Sequence, residues 1–201
     1  MKKKIKVVIG IVLIVAFAFC YAHIAKLNNI YDRQVDSSKY IGTGVIKDSL
    51  EQEFVSKEET LDGISLKCQF QGDATGTSLQ IELVDCNTNE TVATSIVSAK
   101  DMKTGKFNVF KFDTVEGCKG KTYKVIVSEK NADFEASKGI GLLYQPDTEN
   151  NTDLTINGNE TQGTLIMKTV TNRFDAETFY VLLLFILYIY GFVKFLYKLF
   201  K

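Results

Sequence analysis

Histidine is almost missing from this chain, and that absence narrows its chemistry more than any motif present. The one histidine among 201 residues, His23, lies at the edge of an apolar run. No Ser/His/Asp triad or Cys/His dyad can therefore be assembled in the polar middle of the sequence. The four cysteines stand at 20, 68, 86 and 118, with no Cys/His spacing that suits zinc. Glycine-rich phosphate loops are missing as well. The 24 acidic residues would supply carboxylate pairs by chance, so such pairs identify no hydrolytic site. The sequence reads as a non-enzyme without cofactor or metal. Proline occurs once, at Pro146, and tryptophan not at all. With much lysine, isoleucine and asparagine, that composition suits an AT-rich bacterial genome.

Acidic residues are absent from both ends, 1–25 and 178–201, and each end carries an apolar run. A bilayer core of ~30 Å needs about 20 apolar residues in helical form. Residues 7–25 and 178–197 are each long enough, which predicts two transmembrane helices. Lys2, Lys3, Lys4 and Lys6 precede the first; Lys194, Lys198 and Lys201 close the second. Basic flanks stay cytoplasmic. The chain then reads as a two-pass cell-membrane protein with both termini, 1–6 and 198–201, inside and its bulk outside. Lys194 lies about one turn from the helix end, where its stem can snorkel to the headgroups. The first run has a second reading, a cleavable signal peptide ending at Ala16–Ala18. The apolar stretch continues past that site, which favours an uncleaved signal anchor. Cys20 follows bulky Phe19, unlike the small residue that precedes a lipid-modified cysteine.

Seven of the 24 basic residues are those terminal lysines, leaving 17 against 24 acids between the helices, a net charge of −7. An acidic exterior argues against nucleic acid and against anionic lipid headgroups as partners. Residues 26–48 read as a stalk, broken by Asn28-Asn29, Asp36–Ser38 and Gly42–Gly44. From 49 to 172, short β-rich runs alternate with turn signals, the pattern of an antiparallel β-sandwich. Ile64, Leu66, Cys68 and Phe70 alternate with polar neighbours, as do Leu79, Ile81 and Leu83, and Tyr123, Val125 and Val127. Each is a half-buried strand. Further strands are predicted at 51–56, 91–98, 107–113, 139–145 and 164–170. Turns are predicted at Gly72, 87–89, Gly105, 117–120 and 157–159, and an exposed loop at 146–153. The fold class is mainly β, a sandwich flanked by two transmembrane helices.

The stretches Gln52–Ser56, Leu61–Leu66, Gly76–Asp85, Phe107–Phe112 and Lys119–Val127 carry a resemblance. Over about residues 48–130 the sequence resembles a β-sandwich module of Gram-positive bacterial envelope proteins. That module often follows the first membrane helix of polysaccharide-assembly glycosyltransferases, and its layout is similar to the galactose-binding-like jelly rolls. The resemblance implies a jelly-roll ectodomain whose partner is an envelope glycan or an envelope protein. It marks no catalytic or sugar-binding position.

Cys68 shares an apolar face and reads as a core residue. Following the hairpins up and down, Cys86 and Cys118 fall at the same pole of the sandwich. A disulfide there would close a loop worth about 3 kcal/mol; two free thiols are the alternative. Glu58, Glu59 and Asp62, and likewise Asp147, Glu149 and Asp153, could surround calcium, though solvated loops explain both groups. Asn89, Asn150 and Asn159 begin glycosylation-type triplets, which are turn residues in a bacterial chain. On the second helix, Val181, Phe185, Tyr188, Phe192, Phe195 and Leu199 recur at alternating spacings of four and three, an a/d seam. The seam predicts helix packing through Phe185, Tyr188, Phe192 and Phe195, with Ala18 and Ala22 as the small-residue docking groove. Alternatively these rings face lipid, with Tyr180 and Tyr197 as interfacial belts. Two functions follow. One is a membrane-tethered, non-enzymatic sandwich that binds a glycan or partner in cell-envelope polysaccharide assembly. The other is a scaffolding subunit that joins a larger membrane complex through its helices.

Overall fold

A computed structural model describes residues 2–130, 138–146 and 152–200. The chain divides into two compact units, one of residues 27–171 and one of the terminal segments 1–26 and 172–201.

The larger unit is built from antiparallel strands in two sheets. In chain order the strands are β1 (His23–Asn29), β2 (Ile41–Gly42), β3 (Leu50–Val55), β4 (Thr60–Gln71), β5 (Ser78–Asp85), β6 (Glu90–Ser98), β7 (Phe107–Glu116), β8 (Thr122–Lys130), β9 (Gly139–Gln145), β10 (Leu154–Ile156), β11 (Asn159–Thr161), β12 (Thr164–Leu165) and β13 (Met167–Phe174). One sheet runs β1-β13-β4-β9-β12, with β2 also on β9 and β7 also on β4. The other runs β11-β10-β3-β8-β5-β6. Long β4 shares one edge between two partners: β13 pairs Gly63–Leu66 and β9 pairs Cys68–Gln71. Its opposite edge belongs to β7.

Alternation decides which side chains meet between the sheets. Strands β3 and β5, and β8 as far as Ser128, switch between buried and half-buried at every residue, the period of a sheet with one face inward. Leu50 and Phe54, Leu79, Ile81 and Leu83, and Tyr123, Val125 and Val127 supply one inner face. Leu61, Ile64, Leu66, Cys68, Phe110, Ile140 and Leu142 supply the other. Burying each large side chain contributes about 1.5–3 kcal/mol. Strands predicted at 51–56, 91–98 and 139–145 lie within a residue of β3, β6 and β9. The turn at 157–159 joins β10 to β11, with Asn157 at φ 48° and Gly158 at φ 77°, the paired positive φ of a tight hairpin.

The segment read as a stalk is part of the sandwich. Leu27 onward belongs to the larger unit, β2 pairs with β9, and Ile30, Val45 and Ile46 are buried. Thr43 fastens it, its amide donating to the Leu142 carbonyl and its Oγ1 accepting from the Leu142 amide, both at 2.9 Å. A Cβ at Gly141 would run into the Gly44 carbonyl oxygen, so only glycine lets this segment lie so close. Buried Gln145 holds the same segment upstream. Its side-chain amide, oriented to satisfy both atoms, pairs with the backbone N–H and carbonyl of Asp32 at 3.0 and 3.3 Å. Gly44, at φ 74°, supplies the left-handed backbone this segment needs, and Gly141 opposite it supplies the room.

The smaller unit holds two helices, α1 (Lys2–Ala22) and α2 (Ala176–Leu199). Asp175 caps α2, accepting from the Thr178 amide at 3.0 Å, a contact worth about 1 kcal/mol. Among the described residues, α2 is the one helix long and apolar enough to cross a membrane; at 1.5 Å per residue its 24 residues extend roughly 36 Å. The first helix corrects the expectation of a span over 7–25. It ends at Ala22, and residues 23–25 are strand. Its apolar part, Val8–Ala22, is short of a full span, at roughly 22 Å.

Candidate functional site

The helix pair uses a different face from the one the seam predicts. On α2 the half-buried residues are Thr178, Phe179, Leu182, Leu183, Ile186 and Leu196, spaced as one helical stripe. Ala18 and Ala22 are fully buried, and with half-buried Gly10 and Ile14 they form a stripe of every fourth residue on α1. The seam rings Phe185, Tyr188, Phe192 and Phe195 are 58%, 68%, 48% and 59% exposed, so they do not pack against α1. The physical reason is size: Gly10, Ala18 and Ala22 let Leu182, Leu183 and Ile186 approach closely. Tyr188 and Phe192 instead stack on each other, with centroids 6.2 Å apart.

Cys86 and Cys118 lie at one end of the sandwich, since Cys86 bonds to Thr122 just beyond the turn that holds Cys118. They stand on opposite faces of the sheet. Cys86 lines an outward groove beside Lys124, while Cys118 is buried in the core. All four cysteines are free thiols, which corrects the disulfide. Alternation counts poles correctly but not faces, because one residue of phase moves a side chain through the sheet. The Cys118 Sγ accepts from the Tyr123 hydroxyl at 3.4 Å and donates to the Val115 carbonyl at 3.1 Å. Burial pushes the Cys118 and Cys86 thiols up, and the Cys68 thiol up to about 12. Thiolate is the reactive form. Thiol labelling at pH 8 is therefore expected to leave Cys68 and Cys118 unmodified in the folded chain. Denaturation without reductant should then expose four thiols; a count of two would restore the disulfide.

No group of three or more metal-ligating side chains comes together among the described residues. Asp62 accepts a hydrogen bond from the Thr114 hydroxyl. Asp147 and Glu149 lie outside the described residues, as do Asn150 and most of the predicted 146–153 loop.

Two surfaces of the sandwich offer polar chemistry. The outer face of the six-stranded sheet carries two adjoining grooves of about 490 and 400 Å³, both lined by Glu53 and Lys124. Lys124 bridges Glu51 and Glu53 at 3.3 Å each. Burial alone would lower its ammonium; the two carboxylates outweigh it and hold the lysine above its ordinary value. The charge at this groove is satisfied from within the sheet.

The outer face of the seven-stranded sheet is different. Phe107 faces outward on β7 because Asn108 turns inward, where its amide ties the turn through Lys103 and Lys106. Tyr31 stacks on Phe107 at 6.2 Å with ring planes 21° apart, and Tyr40 meets Tyr31 edge-on at 6.2 Å. Lys168 places its Nζ 4.0 Å from the Phe107 centroid, and Lys67 sits 5.4 Å from that of Tyr40. Burial depresses the Lys168 ammonium, and the nearby charges of Arg33 and Lys67 add to it. Burial raises both tyrosines, with Asp32 and Asp36 adding to the rise at Tyr40. Three half-buried rings and three cations thus share one surface.

None of these six residues is legible as a site in the sequence. Tyr31, Arg33 and Tyr40 fall in the supposed stalk, and the others come from β4, β7 and β13. The available signal was Phe107 lying out of phase with Phe110 and Phe112.

No protein-family model matches the chain, and no curated protein matches its sequence. Among the solved structures similar in part are two viral ones. Infectious bursal virus-derived T=1 particles match at 12% identity and TM-score 0.31, over 76% of this chain and 36% of that one. The VP2 subviral particle of infectious bursal disease virus matches at 12% identity and TM-score 0.29, over 74% of this chain and 40% of that one. The chain spans well under half the length of either.

Proposed function

We propose that this chain is a non-enzymatic, membrane-tethered β-sandwich that binds a glycan or partner outside the cytoplasm, in cell-envelope polysaccharide assembly. The observation that carries the binding reading is the half-exposed cluster of Tyr31, Tyr40 and Phe107 on a sheet face. Rings held partly in water are a costly use of aromatic area unless something covers them. A jelly-roll reading is supported by strand order: β3-β8-β5-β6 in one sheet and β2-β9-β4-β7 in the other. The resemblance to Gram-positive envelope modules points the same way.

Tethering is supported by α2, which exposes apolar side chains around its circumference and has no buried residue. The orientation with the sandwich outside and the C-terminus inside rests on the lysines that close α2; the two-pass arrangement adds the N-terminal lysines and the exposed apolar residues of α1, whose apolar part is shorter than a full span. That orientation predicts that Lys119→Cys, in an exposed turn, reacts with an impermeant thiol reagent on intact cells. Reaction only after lysis would refute it.

The binding test uses the full chain in detergent against a panel of envelope polysaccharides. Binding is expected to at least one, weakened roughly tenfold or more by Tyr40→Ala with Phe107→Ala. A scaffolding role is the second reading, favoured by the aromatic face of α2 that α1 leaves uncovered. Stable co-purification of a membrane protein, with no polysaccharide bound, would support that role instead.

A further inference from the structure

The net charge of −7 between the helices conceals a local reversal of sign. Resting on the binding reading above, we infer that the ring-lined face of the seven-stranded sheet takes an acidic polysaccharide, its carboxylates engaged by Arg33, Lys67 and Lys168 and its sugar faces by Tyr40, Tyr31 and Phe107.

Geometry carries this. The two lysines lie on adjacent antiparallel strands, Lys67 on β4 and Lys168 on β13. The β4–β13 register pairs Ser65 with Lys168, so Lys67 is two residues along the neighbouring strand on the same face. Each ammonium is drawn over a ring rather than toward a carboxylate. A cation over a ring keeps its full charge, because the ring supplies a quadrupole and no counter-ion. This is the opposite of Lys124, whose two glutamates neutralise it across the other sheet. Burial first, and then the neighbouring Arg33 and Lys67, depress the Lys168 ammonium. Asp32 and Asp36 stand at the margin of the cluster, beside Tyr40, and their Oδ1 atoms accept from the backbone amides of Gln34 and Ser38. They bound the cationic surface on that side and favour a ligand that enters from the Lys168 side.

The other chemistry on offer fits less well. A neutral glycan would leave three clustered cations without counter-charge. An acidic polymer without sugar rings would leave the aromatic faces unused. Charge complementarity and ring area together select a polymer that has both features, with repeated carboxylates at intervals of one residue.

The experiment compares three probes on the full chain in detergent: polygalacturonate, the same polymer with its carboxylates reduced to alcohols, and poly-glutamate. Polygalacturonate is expected to bind, and to weaken as salt shortens the screening length from ~10 Å at 0.1 M to ~3 Å at 1 M. The variant Arg33→Gln/Lys67→Gln/Lys168→Gln should weaken it roughly 10- to 100-fold with an unchanged melting temperature. Tyr40→Leu should weaken it without altering the salt dependence. Equal binding of the reduced polymer overturns the acidic specificity while leaving glycan binding intact. Equal binding of poly-glutamate overturns the role of the rings. Polygalacturonate binding untouched by the triple variant places the site elsewhere. Failure of all polysaccharides removes both this inference and the glycan reading.

Discussion

Phe54→Ala is expected to destabilise the β-sandwich by about 3–5 kcal/mol, the usual range for removing a buried aromatic ring. Phe54 is fully buried in the middle of the core, its ring 6.2 Å from that of Tyr123 and tilted by 33°. Its strand is held on both sides, by β8 and by β10, so the backbone cannot move inward to fill the space. The cavity term then adds to the lost transfer energy. For a unit of this size the melting temperature should fall by roughly 6–20 °C. Thermal unfolding of the full chain in detergent, followed by circular dichroism at the β-sheet band, measures it. Val55→Ala is the control: Val55 faces outward and is only half-buried, so its loss should cost less than about 1 kcal/mol. Equal shifts for the two variants would mean that the sheets do not close on Phe54.

Leu184→Arg with Leu187→Arg is expected to expel α2 from the bilayer. Each arginine at a helix centre opposes insertion by about 2.5–3.5 kcal/mol, so the pair shifts the balance by roughly four orders of magnitude. Leu184 and Leu187 are 67% and 58% exposed, on the side of α2 away from α1. The substitutions therefore leave the helix pair's own contact unaltered. If both helices span, the chain stays in the membrane through α1 and a C-terminal tag moves from the cytoplasm to the outside. Release of the chain into the soluble fraction would make α2 the sole anchor and would defeat the two-pass reading. A pair of arginines at exposed sandwich positions such as Thr94 and Ile96 should change neither the tag position nor membrane retention.

Much of the sandwich was legible because its information is local. In β5, Leu79, Ile81 and Leu83 alternate with Gln80, Glu82 and Val84, and only a strand places every second residue in a core. In the β10–β11 hairpin, Asn157 and Gly158 both need positive φ, and these are the residue types that tolerate it. The charge at the ends was equally local, and so was the apolar length of α2. What alternation cannot carry is which face a turn residue enters, as Cys86 and Cys118 illustrate: one lines an outer groove, the other the core. Nor can it carry the partner of an irregular segment. Residues 27–48 lack a repeating pattern because Ile30, Val45 and Ile46 enter the core singly, between stretches held by Gln145 and Thr43. The face that α2 turns to α1 is illegible for a related reason. A heptad seam ranks faces by side-chain size, while two helices settle where a stripe of small residues lets them approach, here at Ala18 and Ala22. The sequence by itself determined the β class, most of the strands and the apolar helix at the end, because each follows from residue type and short-range spacing. Only the tertiary structure decided that Tyr31, Arg33, Tyr40, Lys67, Phe107 and Lys168 share one surface, because strand pairing brings together residues separated by more than a hundred positions, and no local preference encodes that pairing.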